Sequence, residues 1–452
     1  MREARRLAVL AFALAGAGAL WAAKPVARWD VVPYQRVKGV FNAGVVAFHE
    51  KGVTVEFTVN GKKAFTAAKP TLNPRTGVRE YVFPFDARKF KDGPVEIGAT
   101  AKAEGQEPTA LDPITLYANG KGTQGSAKTI FVDSVNGNEF QDGTRERPVK
   151  SLKRGVARAG DGGTVLLLSG DYPLRMVGGG VGRSFWTTIR PAPGVERSSI
   201  RILAGRPGTE KLRFVGLDLT IDTLMGYDSI VKGENGKTMA WFEDCTFSNV
   251  QGRWGGEVSP FGNGLRAFVT GGETFSTARG PFAELVRGHK VREIASDAFL
   301  AENCLVVNST VEGIDPGTTG AKPDFFRMKA SAPEWAGNAI LYGVTGTDCK
   351  CRVFIGERCR DVAVVDVKVD ASGGDLLHSQ YMTEAENILF ANVEMPGQDW
   401  QWVRMKNRKM NFAPKDFRLF NVKSKGYSGY DTVDGTEGLL IRDDPGLFHE
   451  DE

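Results

Sequence analysis

The sequence predicts an all-β fold in two parts: a small antiparallel sandwich, then a solenoid of stacked parallel strands. Three observations carry this. Residues 24–118 hold short alternating runs broken by turns. Beyond residue 129 a four-residue pattern recurs every two dozen residues or so. Glycine is abundant, 55 of 452 residues, which favours many tight turns over long helices.

The chain opens with "MREARRLAVLAFALAGAGALWAAKP": arginines, an apolar run, then small residues. That order reads as a signal peptide over residues 1–23, cleaved between Ala19 and Ala23. An N-terminal membrane anchor is the alternative. No later apolar run is long enough to span a bilayer. A secreted or periplasmic protein, not embedded in a membrane, is therefore expected. Composition is that of a globular chain, 41% hydrophobic and 25% charged. The formal net charge is +4, and Arg2, Arg5 and Arg6 against Glu3 supply part of it. The remainder is close to neutral, which argues against a nucleic-acid partner. Any basic site must be local. The sequence carries no oligomerisation signal.

In residues 24–118, "GVFNAGVVAF", "GVTVEFTVNG", "REYVFPFD", "GPVEIGATAKA" and "DPITLYAN" are candidate strands at about ten-residue intervals. They suggest an immunoglobulin-like sandwich, without the Cys…Trp…Cys core of antibody domains. With no clustered ionisable groups, it is expected to fold independently and hold no chemistry. Residues 119–128, "NGKGTQGSAK", read as a linker.

Residues 130–132 read as a strand, and Pro148 precedes a short amphipathic helix over 151–159. "DGGTVLLLSGDY" then gives a turn, a buried strand and a second turn. The repeat follows. Phe214-Val-Gly-Leu217, Phe242-Glu-Asp-Cys245, Ala301-Glu-Asn-Cys304, Leu341-Tyr-Gly-Val344, Val364-Val-Asp-Val367, Phe390-Ala-Asn-Val393 and Leu419-Phe-Asn-Val422 align. The third position is always Gly, Asn or Asp, the residues that best tolerate a left-handed backbone. The fourth is always apolar, as a stacked interior column requires. One longer gap, from Cys245 to Cys304, reads as two rungs. Buried cysteine behaves as a small hydrophobe, which suits Cys245 and Cys304. The five cysteines are odd in number. Export permits one disulfide, with Cys359 and either Cys349 or Cys351 as one arrangement.

The helix-then-repeat layout of residues 128–430 resembles bacterial right-handed parallel β-helix proteins, the pectin-lyase-like superfamily. The resemblance implies that the short helix caps the open end of the coil. Such a cap is required physically, because a bare end exposes sheet edges and an open core. It also leads one to expect a His-x-Asp-x-x-Gln segment. Here the chain has Lys322-Pro-Asp324-Phe-Phe-Arg327, so only the aspartate matches.

A second strand recurs between these rungs, and "PDFFRMK" at 323–329 belongs to it. Aligning Ile230, Phe299, Phe326, Phe354, Leu377 and Val403 as inward residues turns Arg327, His378 and Arg404 outward. Lys329, Gln380 and Lys406 lie beside them, and Phe325 is also expected on the outside. Parallel strands stack about 4.8 Å apart, so these groups would form a basic strip. A solvated strand face is the plain alternative. Trp254 and Trp335, in Gly- and Pro-punctuated segments, are candidate groove walls, with residues 317–321 beside Trp335. Trp400 and Trp402 flank the last rung. Asp297 and Asp324 lie one rung apart. They are either members of a turn column or the ligands of a shared Ca²⁺ ion. His289 is a further polar candidate; His49 and His449 lie outside the repeat.

The chemistry these residues suggest is cleavage of an acidic polysaccharide by β-elimination. Arg327 would neutralise a uronate carboxylate. Lys322, Lys329 or His378 would serve as base, and Tyr381 or His378 as acid. Arg404, Lys406, Gln380, Trp254 and Trp335 would bind the chain. A glycoside hydrolase of the same fold would need two facing carboxylates, and a glycan-binding surface protein would need neither.

Overall fold

A computed structural model describes residues 23–122, 128–175, 182–208, 211–221, 229–233, 238–254, 257–262, 264–318, 322–329, 334–371, 381–399, 415–425 and 440–442. Residues 1–22 lie outside this set. No helix among the described residues is long and apolar enough to cross a membrane.

The N-terminal part is a sandwich of two sheets. One contains Val26–Trp29, Val40–Phe48, Arg79–Asp86 and Thr71–Leu72; the other contains Arg36–Val37, Thr109–Ala118, Gly93–Lys102, Thr54–Val59 and Lys62–Ala67. All pairings are antiparallel except the short one between Arg36–Val37 and Thr109–Ala118. Alternation places Val45, Val55, Phe57, Phe85, Ile97 and Leu116 between the sheets, fully buried.

From Thr129–Val132 to Leu440–Arg442 the described residues form a right-handed parallel β-helix of 25 strands. Helix α1, Leu152–Ala159, closes its N-terminal end. Ser151 caps α1 by accepting from the Arg154 N–H at 3.1 Å, and Leu152, Val156 and Ala159 are buried. Gly155 is required there, because a Cβ would lie 2.4 Å from Val132 Cγ2.

On the first of three faces, Phe214, Phe242, Val269, Val286, Val306, Leu341, Val364, Phe390 and Leu419 stack in register. Two residues further on, Gly216, Asp244, Gly271, Gly288, Asn308, Gly343, Asp366, Asn392 and Asn421 make the turn, with φ between +46° and +70°. The sequence repeat therefore identifies a real column, with one exception. Ala301–Cys304 does not belong to it. Between Asp244 and Gly343 the column passes through Gly271, Gly288 and Asn308. Asn303 begins a second left-handed column at the opposite end of the same face, continuing through Asn338, Asp361, Asn387 and Asp416. Both columns satisfy the same steric demand with the same residue types, so the sequence pattern alone merges them. Side-chain amides knit each column together. Asn392 donates to Asp366 at 3.0 Å and Asn421 to Asn392 at 3.0 Å; Asn387 donates to Asp361 at 2.7 Å.

The same strands are apolar on their outer side. Trp241, Phe268, Leu285, Leu305, Ile340, Ala363, Leu389 and Phe420 point away from the coil and are buried. The sandwich covers them with Val26, Val32, Val46 and Val78. Polar clips frame this contact. Trp186 Nε1 donates to Pro33 O at 2.7 Å, Arg36 to Gly162 O at 2.7 Å, and Arg418 to Glu50 at 2.6 Å. Arg287 pairs with the fully buried Asp30. The sandwich is thus a lid on the β-helix while keeping a hydrophobic core of its own.

Other expectations change inside the coil. All five cysteines are buried thiols outside any disulfide, so neither disulfide arrangement forms. His289 is a core residue, not a surface one. Its ring bonds Thr274 Oγ1 at 2.9 Å and Gly271 O at 2.8 Å, and burial pushes its pKa down to about 4.

Two outcomes follow. Asn392→Val should destabilise the protein by about 2–3 kcal/mol in denaturant unfolding. It places a β-branched residue in a left-handed turn, worth about 1–2 kcal/mol, and breaks two ladder bonds. Asn392→Gly should cost less, since glycine accepts the turn. Separately, a fragment starting at residue 128 should self-associate through its bare first face, read by light scattering. A monodisperse, fully folded fragment would show that the lid is dispensable.

Candidate functional site

The third face is where "PDFFRMK" lies. Asp324–Lys329 pairs with Phe299–Leu300 on one side and with Arg352–Val369 on the other. Phe299, Phe326 and Phe354 stack inward and are fully buried, as the alternation requires. Phe325 departs from expectation. It is also fully buried, edge-on to Phe299 at 6.0 Å, and packs where a Cβ on Gly346 would otherwise sit.

Arg327 does turn outward. Its side chain is 37% exposed, and Nη1 donates to Asp297 Oδ2 at 2.9 Å. Asp297 also accepts the Asp324 N–H at 3.0 Å through its other oxygen. Asp324 in turn accepts from Arg352 Nε at 2.7 Å. Both aspartates are buried, so each anchors an arginine from beneath. Burial, opposed by Arg352 and reinforced by Asp297, pushes the Asp324 carboxyl up to about 7. Among the described residues no three His, Cys, Asp or Glu side chains gather to hold a metal ion.

The expected strip is not continuous. Ile355, the neighbour of Arg327 on the next strand, is buried. One strand further, Ile355 pairs with Tyr381 and Glu357 with Thr383. His378 and Gln380 therefore do not follow Ile355 and Glu357 in register. The sequence "DLLHSQ" has two adjacent leucines, so its alternation fixes no unique phase. His378, Gln380, Trp400, Trp402, Arg404 and Lys406 lie outside the described residues, as does His449. Lys329 and Tyr381 are placed on strands.

The corner leading into this face adds groups that the strand alignment missed. Trp254 is 54% exposed and lies against Gly317, where a Cβ would come within 3.0 Å of its ring. Its Nε1 donates to Asp315 O at 3.3 Å, and Arg253 stacks over it at 4.5 Å. Asp315 accepts the Gly317 N–H at 2.9 Å, which holds its carboxyl below the usual range. Lys350 at 3.3 Å and Arg253 at 3.5 Å reinforce that. Lys322 is exposed nearby, its carbonyl accepting from Arg352 at 3.2 Å. Arg253, Lys350 and Arg352 were legible only as scattered basic residues, because Arg253 lies about a hundred positions before the other two. Trp335 is not part of this corner. It follows the other end of Asp324–Lys329 and lines a cleft of about 310 Å³ with Lys24, Val26 and Arg360, against the sandwich. Gly317 and Trp335, expected on a single wall, thus lie at two different edges, and residues 319–321 lie outside the described residues.

No family model matches the chain. No curated protein matches it either. Among solved structures it is similar to a family 28 exopolygalacturonase of Yersinia enterocolitica, at 10% identity over 92% of this chain and 99% of that one, TM-score 0.37. It is also similar to a lacto-N-biosidase of Eubacterium ramulus, at 12% identity over 70% and 68%, TM-score 0.35. A Paenibacillus alginate lyase matches at 10% identity over 70% and 99%, TM-score 0.27. At these values the parallel β-helix rests on the rungs themselves.

The raised pKa of the Asp324 carboxyl sets a pH dependence. Its folded pKa is raised, so its contribution to stability is complete below the ordinary aspartate pKa and is lost as pH rises through about 7. The unfolding midpoint should fall as pH rises across that window, and Asp324→Asn should flatten this part of the profile in thermal scans.

Proposed function

We propose that the chain is a secreted carbohydrate-active protein that holds an acidic polysaccharide across the third face and cleaves it by β-elimination. The observation that carries this is Arg327, half-exposed on the sheet yet fixed from below by buried Asp297. An arginine held in this way is pre-organised to meet a carboxylate at little entropic cost. Arg352, Lys322, Lys350 and Arg253 extend positive charge along the same corner, and Trp254 offers a ring face beside them.

Paired with Arg327, a uronate carboxylate loses its charge and its neighbouring C5–H becomes more acidic. A base, Lys322 or Lys329, takes that proton. The electron pair forms the C4–C5 double bond, the C4–O bond breaks, and the leaving oxygen takes a proton from Tyr381 or His378. In this reading Asp297 and Asp324 act as arginine anchors. A Ca²⁺ ion bridging them would have to displace Arg327 and Arg352. Trp335, Gln380, Arg404 and Lys406 complete the proposed binding set. The signal peptide over 1–23 and the immunoglobulin-like character of the sandwich belong to the same proposal.

The test incubates the protein with polygalacturonate, alginate and glycosaminoglycans, following ultraviolet absorbance and new reducing ends together. Absorbance with new ends is expected. New ends alone would make the protein a hydrolase, and neither signal would leave a binding protein. Arg327→Ala should lower turnover at least a hundredfold, at about 1.4 kcal/mol per factor of ten, with a small change in melting temperature. Chelation should leave turnover unchanged; a loss restored by Ca²⁺ would return the metal to the Asp297–Asp324 pair.

A further inference from the structure

Where the sandwich meets the first face, two carboxyls are buried side by side. Asp30 follows Val26–Trp29, and Glu80 lies on Arg79–Asp86; the first is fully buried and the second 1% exposed. Each has one oxygen occupied and one left over. Asp30 Oδ1 takes Arg287 Nη1 from Leu285–Arg287 of the β-helix. Glu80 Oε1 accepts from Asn73 Nδ2 at 2.6 Å and from Thr76 Oγ1 at 2.8 Å. Asp30 Oδ2 and Glu80 Oε2 are buried and receive no N–H or O–H from any described neighbour. The two side chains lie within hydrogen-bonding reach of each other. Gly44 brings them together. Its carbonyl accepts the Asp30 N–H at 2.9 Å, and a Cβ on it would lie 2.0 Å from Glu80 Oε2. Two carboxylates placed in this way would repel, whereas one proton between the spare oxygens satisfies both.

The surroundings decide which acid keeps that proton. Burial raises both. At Asp30, Arg287 and Arg75 oppose the rise; Arg75 lies alongside, donating to Asn42 O at 2.9 Å and to Asp30 O at 2.8 Å. At Glu80 the charge of Asp30 adds to burial, Thr76, Asn73 and Arg75 offset part, and the carboxyl is pushed up to about 8. From Ala336–Tyr342, Tyr342 also feels Glu80, with Asp366 and Arg79 acting on it. Burial pushes its hydroxyl up to about 12, so it stays neutral.

We infer that Asp30 and Glu80 share one proton, Glu80 Oε2 donating to Asp30 Oδ2, and that this pair is a pH-operated latch seating the sandwich on Arg287. With the proton in place the pair carries one negative charge, which Arg287 and Arg75 hold. Without it, two buried carboxylates stand in contact and the seat is pushed open. Leu285, two residues from Arg287, belongs to the apolar surface under the sandwich, so the latch governs exposure of that surface. Seated, Glu80 keeps its proton up to about 8; opened to water, it keeps it only up to the ordinary glutamate value. Opening therefore releases one proton. Rising pH favours it by roughly tenfold per unit between those two values, and no further above them. The latch is independent of the proposed reaction.

Infrared spectra of the intact protein carrying isotope-labelled glutamate read the proton directly. A protonated glutamate carbonyl stretch is expected at about pH 7, lost with a midpoint near 8 and absent from Glu80→Gln. The unlabelled aspartates, Asp324 among them, do not share the shifted band. Hydrogen exchange, corrected for its intrinsic pH dependence, should report opening at residues 26–30 and 285–287. In wild type that opening should rise roughly tenfold per pH unit from about 6 to 8. Glu80→Gln should flatten the rise, since its amide donates to Asp30 without titrating, and Asp324→Asn should leave it in place. Absence of the glutamate band at about pH 7 would overturn the inference and leave a water or a cation between the two oxygens. An unchanged pH profile at these segments in Glu80→Gln would overturn it as well. The infrared reading is made on wild type, so it decides the shared proton even if the variant fails to fold.

Discussion

The apolar outer side of the first face constrains everything else in the molecule. A β-helix usually solves one burial problem, its interior. This chain has two, because alternate residues of the same strands, Leu341 inward and Ile340 outward, are both fully buried. An uncovered row of Trp241, Phe268, Leu305, Ile340 and Leu389 would be a long aggregation-prone patch. The sandwich removes it, and the clips through Trp186, Arg287 and Arg418 fix its position. Once docked, the sandwich creates a seam of clefts, one with Trp335 and one with Tyr342, that neither part has alone.

Much of the scaffold was legible in the sequence. The Gly/Asn/Asp position marked the left-handed turns because few other residues accept φ near +50°. The cap helix was legible from Pro148 and the amphipathic run over 151–159. The failures have physical causes. Asn303 obeys the same steric rule as Asn308, so one column absorbed a member of another. His378 was aligned on a leucine pair that sets no phase. Phe325 read as exposed because strict alternation was carried to the end of its strand, where inward and outward no longer alternate. The lid was signalled too: "NAILY", "VAVVDV" and "ILFANV" are apolar at successive positions, which marks strands covered on both faces. Read only for the interior, that signal went unused.

Charge on the second face is closed off in pairs. Arg201 meets Asp171 at 2.6 Å, Arg197 meets Asp218 at 2.6 Å, Arg292 meets Glu273 at 3.0 Å, and Lys290 meets Glu312 at 3.1 Å. Exposed pairs of this kind add little to folding, yet they cancel the field along the face. With the first face under the sandwich and these pairs on the second, the third face stands apart as the one where described arginines reach outward above buried acids.

The third-face corner differs from the second face in where its acids sit. On the second face, carboxylates and guanidinium groups share the surface. At Arg327 and Arg352 the carboxylates lie beneath, at 3% and 1% exposure, while the arginines reach outward. Formal charge is balanced in both places. The potential seen by an approaching anion is not, because solvent meets the arginines first. Burying Asp324 raises its pKa to about 7, so near neutrality part of its charge is lost and the corner becomes more positive. The same burial that costs the fold some stability at higher pH therefore favours anion binding at lower pH. Binding of an acidic glycan should strengthen as pH falls from about 8 to 6 in wild type. In Asp324→Asn the uncharged amide removes that dependence, so its affinity should be high and flat across the range; an unchanged pH profile in the variant would assign the effect to another group.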